Sequence, residues 1–352
     1  MEELNKGVGR RNVLFGMAGL GATAALTACT GNSKGDSNKK TDAAVSNANS
    51  AAGKTVTVGF SAPAADHGWI AAIQKNAESA AKRFTDVKLQ SVQPTNDIAA
   101  QIAAVETLIN KKVDVIVMLP NDGKQLTTVA RKAMDQGIPV INLDRVFDSP
   151  LAYRTWIGGD NYGMGVSAGN YIGQQLKQKG VSNPVIAEIA GIDSLPLTQQ
   201  RSQGFKDSLS KYGFKVGPRQ AAQFTVQSGQ SVTANLLQSA PHIDAIWNHD
   251  DDQGIGVLAA IKQANRKEFF MVGGAGSANA MREIKSGKSV LKATVLYPPT
   301  MASSAVALAR LIGQKKGLSD LTQPEVPASI TLYSATVTEA NVDQYLSLGF
   351  ES

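Results

Sequence analysis

The stretch that decides the fold runs from residue 113 to residue 145. It reads VDVIVML at 113–119, GKQLTTVARKAMDQG at 123–137 and IPVINLDR at 138–145. The first and third segments are nearly continuous apolar runs, which is typical of strands buried on both faces of a parallel sheet. The middle segment carries its apolar residues at helical spacing. Together they predict a strand–helix–strand unit.

The same alternation extends in both directions from this unit. Towards the N-terminus come TVTVGFS at 55–61 and WIAAIQKNAESAAKRF at 69–84, and towards the C-terminus it resumes with TWIGG at 155–159 and continues to a helix at 301–313. Repeated units with apolar strands predict an α/β fold with parallel sheets covered by helices. The strands are too numerous for one sheet, so the sequence predicts two doubly wound lobes.

Composition narrows the class of protein. The chain has 352 residues, 43% hydrophobic and 18% charged, which is typical of a globular protein. The formal net charge of +6 is spread along the chain, so we expect no nucleic-acid partner. A single cysteine excludes an internal disulfide framework, an all-thiolate zinc site and a CxxC redox pair. We expect neither a metal nor a cofactor.

The first 53 residues have the composition of an export signal and a linker. Basic residues precede the uncharged stretch VLFGMAGLGATAALTA at 13–28, which is shorter than a membrane-spanning helix needs to be. Leu26-Thr27-Ala28-Cys29 resembles a bacterial lipobox, which implies cleavage before Cys29 and attachment of lipid to its sulfur. The polar segment that follows predicts a flexible tether over 29–53. The folded body is therefore expected outside the cytoplasm, anchored to the membrane.

Polar and aromatic residues follow the predicted strands, where ligands of such sheets bind. The pair Asp144-Arg145 ends IPVINLDR, QQRSQGF at 199–205 carries Arg201, and DDDQGIG at 250–256 opens a helix. In their order and spacing these pieces resemble the ribose- and galactose-type periplasmic binding proteins, the receptors of sugar ABC importers. The resemblance covers residues 54–335 and implies two lobes joined by a three-crossing hinge.

The resemblance also implies a set of ligand-binding residues and a division into lobes. Carboxylates and guanidinium groups suit a sugar or polyol because they accept from and donate to many hydroxyl groups, while aromatic rings cover its apolar face. The expected ligand-binding residues are Asp66, His67, Trp69, Asn121, Asp144, Arg145, Arg201, Phe224, Asp250 and Tyr297. The expected segments are a signal peptide at 1–28, a tether at 29–53, a first lobe at 54–159 plus 298–327, and a second lobe at 160–297 plus 328–352.

Several of these residues also have a purely structural interpretation. Asp144-Arg145 could form a structural ion pair, and Trp69 or Tyr297 could pack in the core. The acidic run after His249 is expected to cap its helix through Asp251 and Asp252 rather than to bind a metal. The motif at 163–168 imitates a dinucleotide loop, but no acidic residue ends the next strand, so we interpret its glycines as sites of close helix packing.

The ligand, the partner and the class of protein remain open at this level. Leu119 stands where ribose-type relatives have an asparagine, and Ala275 stands where a carboxylate is common, so another pentose, a hexose or a polyol is favoured over ribose. An importer permease is the expected partner of the monomeric receptor. The alternatives are a receptor that presents its closed form to a membrane sensor, and a secreted enzyme. The H-E-x-x-H motif is absent, and no G-x-S-x-G forms a nucleophile elbow, because GNSKG at 31–35 lies in the predicted tether and GVSAG at 165–169 lies inside a predicted helix. Both observations argue against an enzyme.

Overall fold

The computed structural model describes residues 49–318, 321 and 323–352. The expectations for the signal peptide, for Cys29 and for most of the tether lie outside these residues. Within the described ranges every helix is too short or too polar to span a membrane.

The first lobe is built on a six-stranded sheet. Its strand order is β11-β5-β4-β3-β1-β2, and all of its paired strands are parallel. The strands are β1 (Val56–Ser61), β2 (Val87–Ser91), β3 (Val115–Met118), β4 (Val140–Leu143), β5 (Thr155–Gly159) and β11 (Ser329–Leu332). The helices that accompany it are α1 (Gly68–Arg83), α2 (Ile98–Asn110), α3 (Gly123–Asp135) and α9 (Met301–Gly313). The apolar strands β3 and β4 are completely buried, as the sequence predicts.

The second lobe repeats this plan with one antiparallel edge. Its sheet has the order β12-β10-β9-β8-β6-β7, and only β12 runs antiparallel to its neighbour. The strands are β6 (Ile186–Ala190), β7 (Arg219–Ala221), β8 (Ala245–Asn248), β9 (Phe270–Ala275), β10 (Leu291–Leu296) and β12 (Thr336–Thr338). The helices are α4 (Asn161–Gln178), α5 (Pro196–Ser210), α6 (Val226–Ser239), α7 (Asp251–Gln263), α8 (Ala278–Ser286) and α10 (Val342–Tyr345). The predicted fold class of two doubly wound α/β lobes is confirmed.

The chain passes between the two sheets three times. It leaves the first sheet after Gly159 and returns to the first lobe after Leu296, next to the expected positions. The third crossing differs from the expected one at 327–328, because β11 pairs with β5 and still belongs to the first sheet. The chain changes sheets between Leu332 and Thr336. The sequence misplaces this crossing because β11 and β12 are short and only partly buried, so they lack the apolar run by which the other strands are recognised.

The last residues of the expected tether belong to the folded body. The guanidinium of Arg310 donates to the carbonyl oxygens of Asn49 and Ala51 at 2.5 and 2.7 Å, and the backbone N–H of Gly53 donates to Asp86 at 2.6 Å. Arg310 and Asp86 themselves form a buried ion pair at 2.6 Å. The assignment of 49–53 to a flexible tether is therefore wrong, since this pair holds the segment to the first lobe.

Close packing of α4 on α5 positions one wall of the cleft. A Cβ atom on Gly165 would lie 2.0 Å from the carbonyl oxygen of Arg201, and one on Gly169 would lie 2.7 Å from Ser208. Only glycine allows the two helices to approach this closely. Gly165 and Gly169 thus place Arg201 beside the start of α4, which agrees with the helix-packing role predicted for the motif at 163–168 in the case of Gly165, whereas Gly163 lies against Asp160.

Candidate ligand-binding site

The carboxyl ends of the two sheets face each other across a cleft that contains two connected spaces. The inner cavity is small, about 30 Å³, which is room for about two water molecules. Its lining residues come from both lobes: His67, Trp69, Asp144, Arg145, Leu197, Arg201, Phe224, Asp250, Ala275 and Tyr297. The outer cavity, about 360 Å³, lies beside it between the loops at 122–124 and 144–148 of the first lobe and the loop at 194–200 of the second. Asp144, Arg145 and Leu197 line both spaces.

Asp144 and Arg145 form the first-lobe wall where β4 ends. The hydroxyl of Tyr297 donates to Oδ1 of Asp144 at 2.5 Å. Nη1 of Arg145 donates to the carbonyl oxygen of Asn121 at 2.7 Å, while its buried Nε has no partner among the described residues. Burial disfavours the charged form and lowers the pKa of Arg145, and the neighbouring Asp144 counteracts this effect. A ligand oxygen would meet an unused donor and an unused carboxylate oxygen at this wall.

Arg201 dominates the second-lobe wall and is almost completely buried. Its Nε donates to Oδ1 of Asn161 at 2.9 Å, and its Nη1 donates to the carbonyl oxygen of His249 at 3.3 Å. The guanidinium also lies over the ring of Tyr297, 4.6 Å from its centroid, and over Phe224 at 5.9 Å. Among the described residues its hydrogen bonds go only to neutral oxygen atoms, so its charge is not neutralised by direct contact.

The three consecutive acids at the start of α7 perform three different tasks. Oδ1 of Asp250 accepts from the backbone N–H groups of Asp252 and Gln253, which makes Asp250 the N-cap of its helix. Asp251 accepts hydrogen bonds from the loop after β9, at Gly274, Gly276 and Ser277, and from Thr294 of β10. The expectation that Asp251 and Asp252 cap the helix is wrong, because the residue one position earlier already satisfies the free N–H groups.

Asp252 reaches across the cleft into the first lobe. Its Oδ2 accepts from the backbone N–H of Trp69 in the first turn of α1, at 2.9 Å. The indole N–H of Trp69 donates in turn to the carbonyl oxygen of Tyr297 at 2.8 Å, and the two rings lie 5.8 Å apart. The bond of Asp252 joins the two lobes directly, so the structure is a closed form, whereas Tyr297 lies at the second crossing between them. Trp69 is both a core residue of the first lobe and part of the cavity wall.

His67 extends the first-lobe wall towards Phe224. Its Nδ1 lies 2.5 Å from Oδ1 of Asp66, and its ring centroid lies 6.3 Å from that of Phe224. Burial opposes protonation of His67, but the bond to Asp66 and the charges of Asp250 and Asp252 raise its pKa overall. Burial and the neighbouring Asp252 raise the pKa of Asp250 to about 7. The inner cavity therefore contains a carboxyl group, that of Asp250, whose charge changes near neutral pH.

Backbone strain is concentrated at the inner cavity. Among the described residues, six that are not glycine have a positive φ, and three of them line this cavity: Asp144 at 62°, Phe224 at 62° and Ala275 at 78°. Such conformations cost about 1–3 kcal/mol each and are typical of ligand-binding positions. The ring of Phe224 is placed over Gly191, where a Cβ atom would lie 1.9 Å from its Cζ.

Eight of the ten predicted ligand-binding residues line the inner cavity, and two do not. Asp66 is exposed and holds His67, so it supports the wall rather than forming it. The side chain of Asn121 donates to the carbonyl oxygen of Thr95 within the first lobe at 2.7 Å. It does not replace the polar group missing at Leu119, which is a completely buried core residue.

Sequence reasoning missed the residues that hold the second-lobe wall in place. Asn161 binds both Arg201 and the Tyr297 hydroxyl, and its position directly after β5 could have identified it. Gln253 accepts from the backbone N–H of Phe224 at 3.1 Å and donates to Asn248. Leu197 contributes an apolar contact from the first turn of α5. The contact of Asp252 has no sequence signal, since its partner lies 183 residues away.

Behind Arg201 the second lobe contains a buried polar network. Glu188 accepts from Nε2 of His249 at 2.9 Å and from the hydroxyl of Ser202, and Arg219 lies 3.5 Å from its other oxygen. Burial lowers the pKa of His249, which favours the neutral ring. The described residues contain no group of three or more His, Cys, Asp or Glu side chains arranged to hold a metal ion.

Comparison with known proteins gives consistent results. A family model described as periplasmic binding protein domain matches residues 58–317. The chain is 30% identical over 253 residues, covering 72% of this chain and 80% of the relative, to the ribose import binding protein RbsB of Bacillus subtilis. It is 27% identical to the galactofuranose-binding protein YtfQ of Escherichia coli, over 84% of this chain and 93% of that protein.

A solved structure has the same fold. The Mycobacterium smegmatis protein crystallised with β-D-fucofuranose superimposes with a TM-score of 0.73 and 26% identity, covering 83% of this chain and 94% of that one. The two lobes, the cleft between them and the sequence matches lead to one assignment: this chain belongs to the periplasmic binding protein domain family.

Proposed function

We propose that the protein is an extracytoplasmic receptor that captures a monosaccharide or polyol between its lobes and delivers it to the permease of an ABC importer. The observation that carries the proposal is the inner cavity, where the half-buried guanidinium of Arg145 and the buried one of Arg201, from opposite lobes, face aromatic rings and two carboxylates. A polyhydroxylated ligand satisfies such donors and acceptors at once, and an unmet buried polar group costs about 1–3 kcal/mol. The ribose and galactofuranose receptors named above support the ligand class.

The mechanism follows from the cross-lobe contacts. The walls of the inner cavity come from both lobes, and Asp252 bonds across the cleft, so the lobes must separate for the ligand to enter and then close around it. Hydroxyl groups of the ligand then bind Arg145, Arg201 and the free oxygen of Asp144. The outer cavity beside Asp144 and Arg145 gives room to an exocyclic group of the sugar. Ligand shifts the population towards the closed form because only that form offers both walls.

A thermal-shift screen of the protein against pentoses, hexoses and polyols tests this function. A ligand present at 100 times its dissociation constant adds about 2.7 kcal/mol to the free energy of unfolding, and the melting temperature rises accordingly. We expect a rise with one or a few related sugars. No rise with any member of the panel would contradict the proposal.

We further propose that the receptor is a lipid-anchored monomer, tethered through Cys29. The sequence around Cys29 supports lipid attachment, and a tether raises the concentration of the receptor near its permease. Cys29→Ser is expected to move the protein from the membrane fraction to the soluble fraction. Persistence of the variant in the membrane pellet would contradict the anchor.

A further inference from the structure

Helix α1 of the first lobe is capped by the second lobe. Its N-cap residue, His67, makes no capping hydrogen bond through its side chain, and no acidic residue occupies its first turn. Helices α2 and α3 of the same lobe are capped by their own Asp97 and Asp122. For α1 the acceptor is Asp252, whose Oδ2 lies 2.9 Å from the backbone nitrogen of Trp69.

The surroundings of Asp252 indicate that its side chain serves the contact with α1 rather than its own helix. Its own helix is already capped by Asp250, so α7 does not require a second acceptor. Gly68 makes the approach possible, because a Cβ atom there would lie 2.7 Å from Oδ1 of Asp252 and 2.7 Å from the carbonyl oxygen of Glu351. Asp252 is 2% exposed and does not line the inner cavity. It touches no ligand position, so it can affect binding through the positions of the lobes or through its charge near His67 and Asp250. Asp252→Asn removes the charge but keeps an acceptor oxygen, and it separates these two routes.

We propose that Asp252 is a closure latch: by capping α1 across the cleft it stabilises the closed form and thereby sets the affinity for ligand. The proposal rests on the hinged-receptor function above. The bond exists only when the lobes meet, and opening returns the N–H groups of α1 to water. Loss of an N-cap is expected to lower the ratio of closed to open molecules about two- to thirtyfold. Affinity falls by the same factor when the closed form is the minor one.

The test compares Asp252→Ala with wild type in the full protein, using the sugar that gives the largest thermal shift. We expect the dissociation constant and the dissociation rate to rise about two- to thirtyfold. Where the closed form is the major one without ligand, we also expect a larger radius of gyration in X-ray scattering of the ligand-free variant; where it is the minor one, the full effect is on affinity. Asp252→Asn retains an acceptor oxygen and should stay close to wild type. Asp97→Ala is the matched control, because it removes the cap of α2 within one lobe and should leave affinity and scattering unchanged.

Gly68→Ala provides a second, independent test. Its methyl group would occupy space next to Asp252 only in the closed form, so it should weaken binding in the same direction while the first lobe folds normally. Unchanged affinity and scattering in Asp252→Ala would overturn the latch whatever Gly68→Ala shows, because a methyl group at position 68 would also crowd the carbonyl oxygen of Glu351. If no sugar in the panel binds the wild-type protein, the proposed function fails instead. The latch rests on that function and is then overturned with it, whereas a sugar that binds Asp252→Ala and wild type equally well overturns the latch alone.

Discussion

The two walls of the inner cavity differ in what holds their side chains in place. In the second lobe, Arg201 is fixed by Asn161 and His249 of its own lobe, and Asp250 is fixed by its own helix. In the first lobe, the partner of Asp144 is Tyr297, which follows the last long strand of the opposite sheet. The second-lobe wall is therefore complete before closure, whereas the first-lobe wall obtains part of its order from closure.

This difference indicates an order of events in binding. A preorganised wall loses little conformational freedom when it meets a ligand, so the second lobe is the better initial binding surface. The partners of Asp144 and of the Trp69 backbone are Tyr297, at the second crossing, and Asp252 of the second lobe, so we expect these bonds to form as the lobes come together. Arg145 is an exception in the first lobe, because the carbonyl oxygen of Asn121 holds it in either state. The effects of substitutions on ligand affinity and on protein stability should consequently differ between the two walls.

Arg201→Ala is expected to have the largest effect. It removes a buried charge from the preorganised wall, and such truncations cost about 2–5 kcal/mol, or at least about a thirtyfold loss of affinity. The melting temperature should also fall, because Asn161 and the His249 carbonyl lose their donor. Calorimetry with the best-binding sugar measures the first effect. Arg131→Ala, which breaks an exposed pair with Asp135, is the control. Undiminished affinity in Arg201→Ala would refute the site.

Asp144→Asn should have a smaller effect on affinity and little on stability. A hydrogen bond to a charged group contributes about 1.5–3 kcal/mol, so we expect a loss of about tenfold or more. Asparagine tolerates the left-handed backbone at this position, where φ is 62°, better than alanine does. Calorimetry and thermal unfolding separate the two effects. A larger loss of affinity in Asp144→Asn than in Arg201→Ala would contradict the proposal that the second-lobe wall is the preorganised one.

The contrast between the walls also explains what the sequence can predict. Strand ends follow from local apolar patterns, so the sequence alone places Asp144, Arg145 and Asp250 at the cleft. The direction of a side chain is not a local property. For that reason the sequence predicts Asn121 in the cavity, whereas its side chain binds Thr95 instead.

Contacts between distant segments cannot be predicted from this sequence. The anchoring of residues 49–53 depends on Arg310 and Asp86, which are separated by 224 positions. The cross-lobe bond of Asp252 and the pairing of β11 with β5 are of the same kind. These contacts depend on chain segments brought together by the fold, and no periodic pattern in either segment indicates them.

The second-lobe wall should also show a pH dependence through Asp250. Because the pKa of Asp250 is raised to about 7, the folded protein holds a proton that the unfolded chain has released at intermediate pH. The contribution of Asp250 to stability therefore falls as pH rises from about 4 to about 7. Asp250→Asn keeps the cap and does not titrate. As pH rises from about 4.5 to 7.5, the melting temperature of wild type should therefore fall by a few degrees relative to that of the variant. A rise in the melting temperature of wild type relative to that of the variant over this pH range would contradict the raised pKa of Asp250.

Tyr297→Phe should have the smallest effect, and it tests how the first-lobe wall is ordered. The change removes the hydroxyl that holds Oδ1 of Asp144 and accepts from Asn161 at 3.1 Å. If this hydroxyl orients Asp144 for the ligand, affinity should fall about two- to tenfold, the worth of one ordinary hydrogen bond. If it competes with a ligand hydroxyl for the carboxylate, affinity should rise instead, and the proposed ordering of Asp144 by closure would be wrong. Calorimetry measures the direction, and Tyr162→Phe is the matched control, because it removes a hydroxyl that donates to Asp207 outside both cavities.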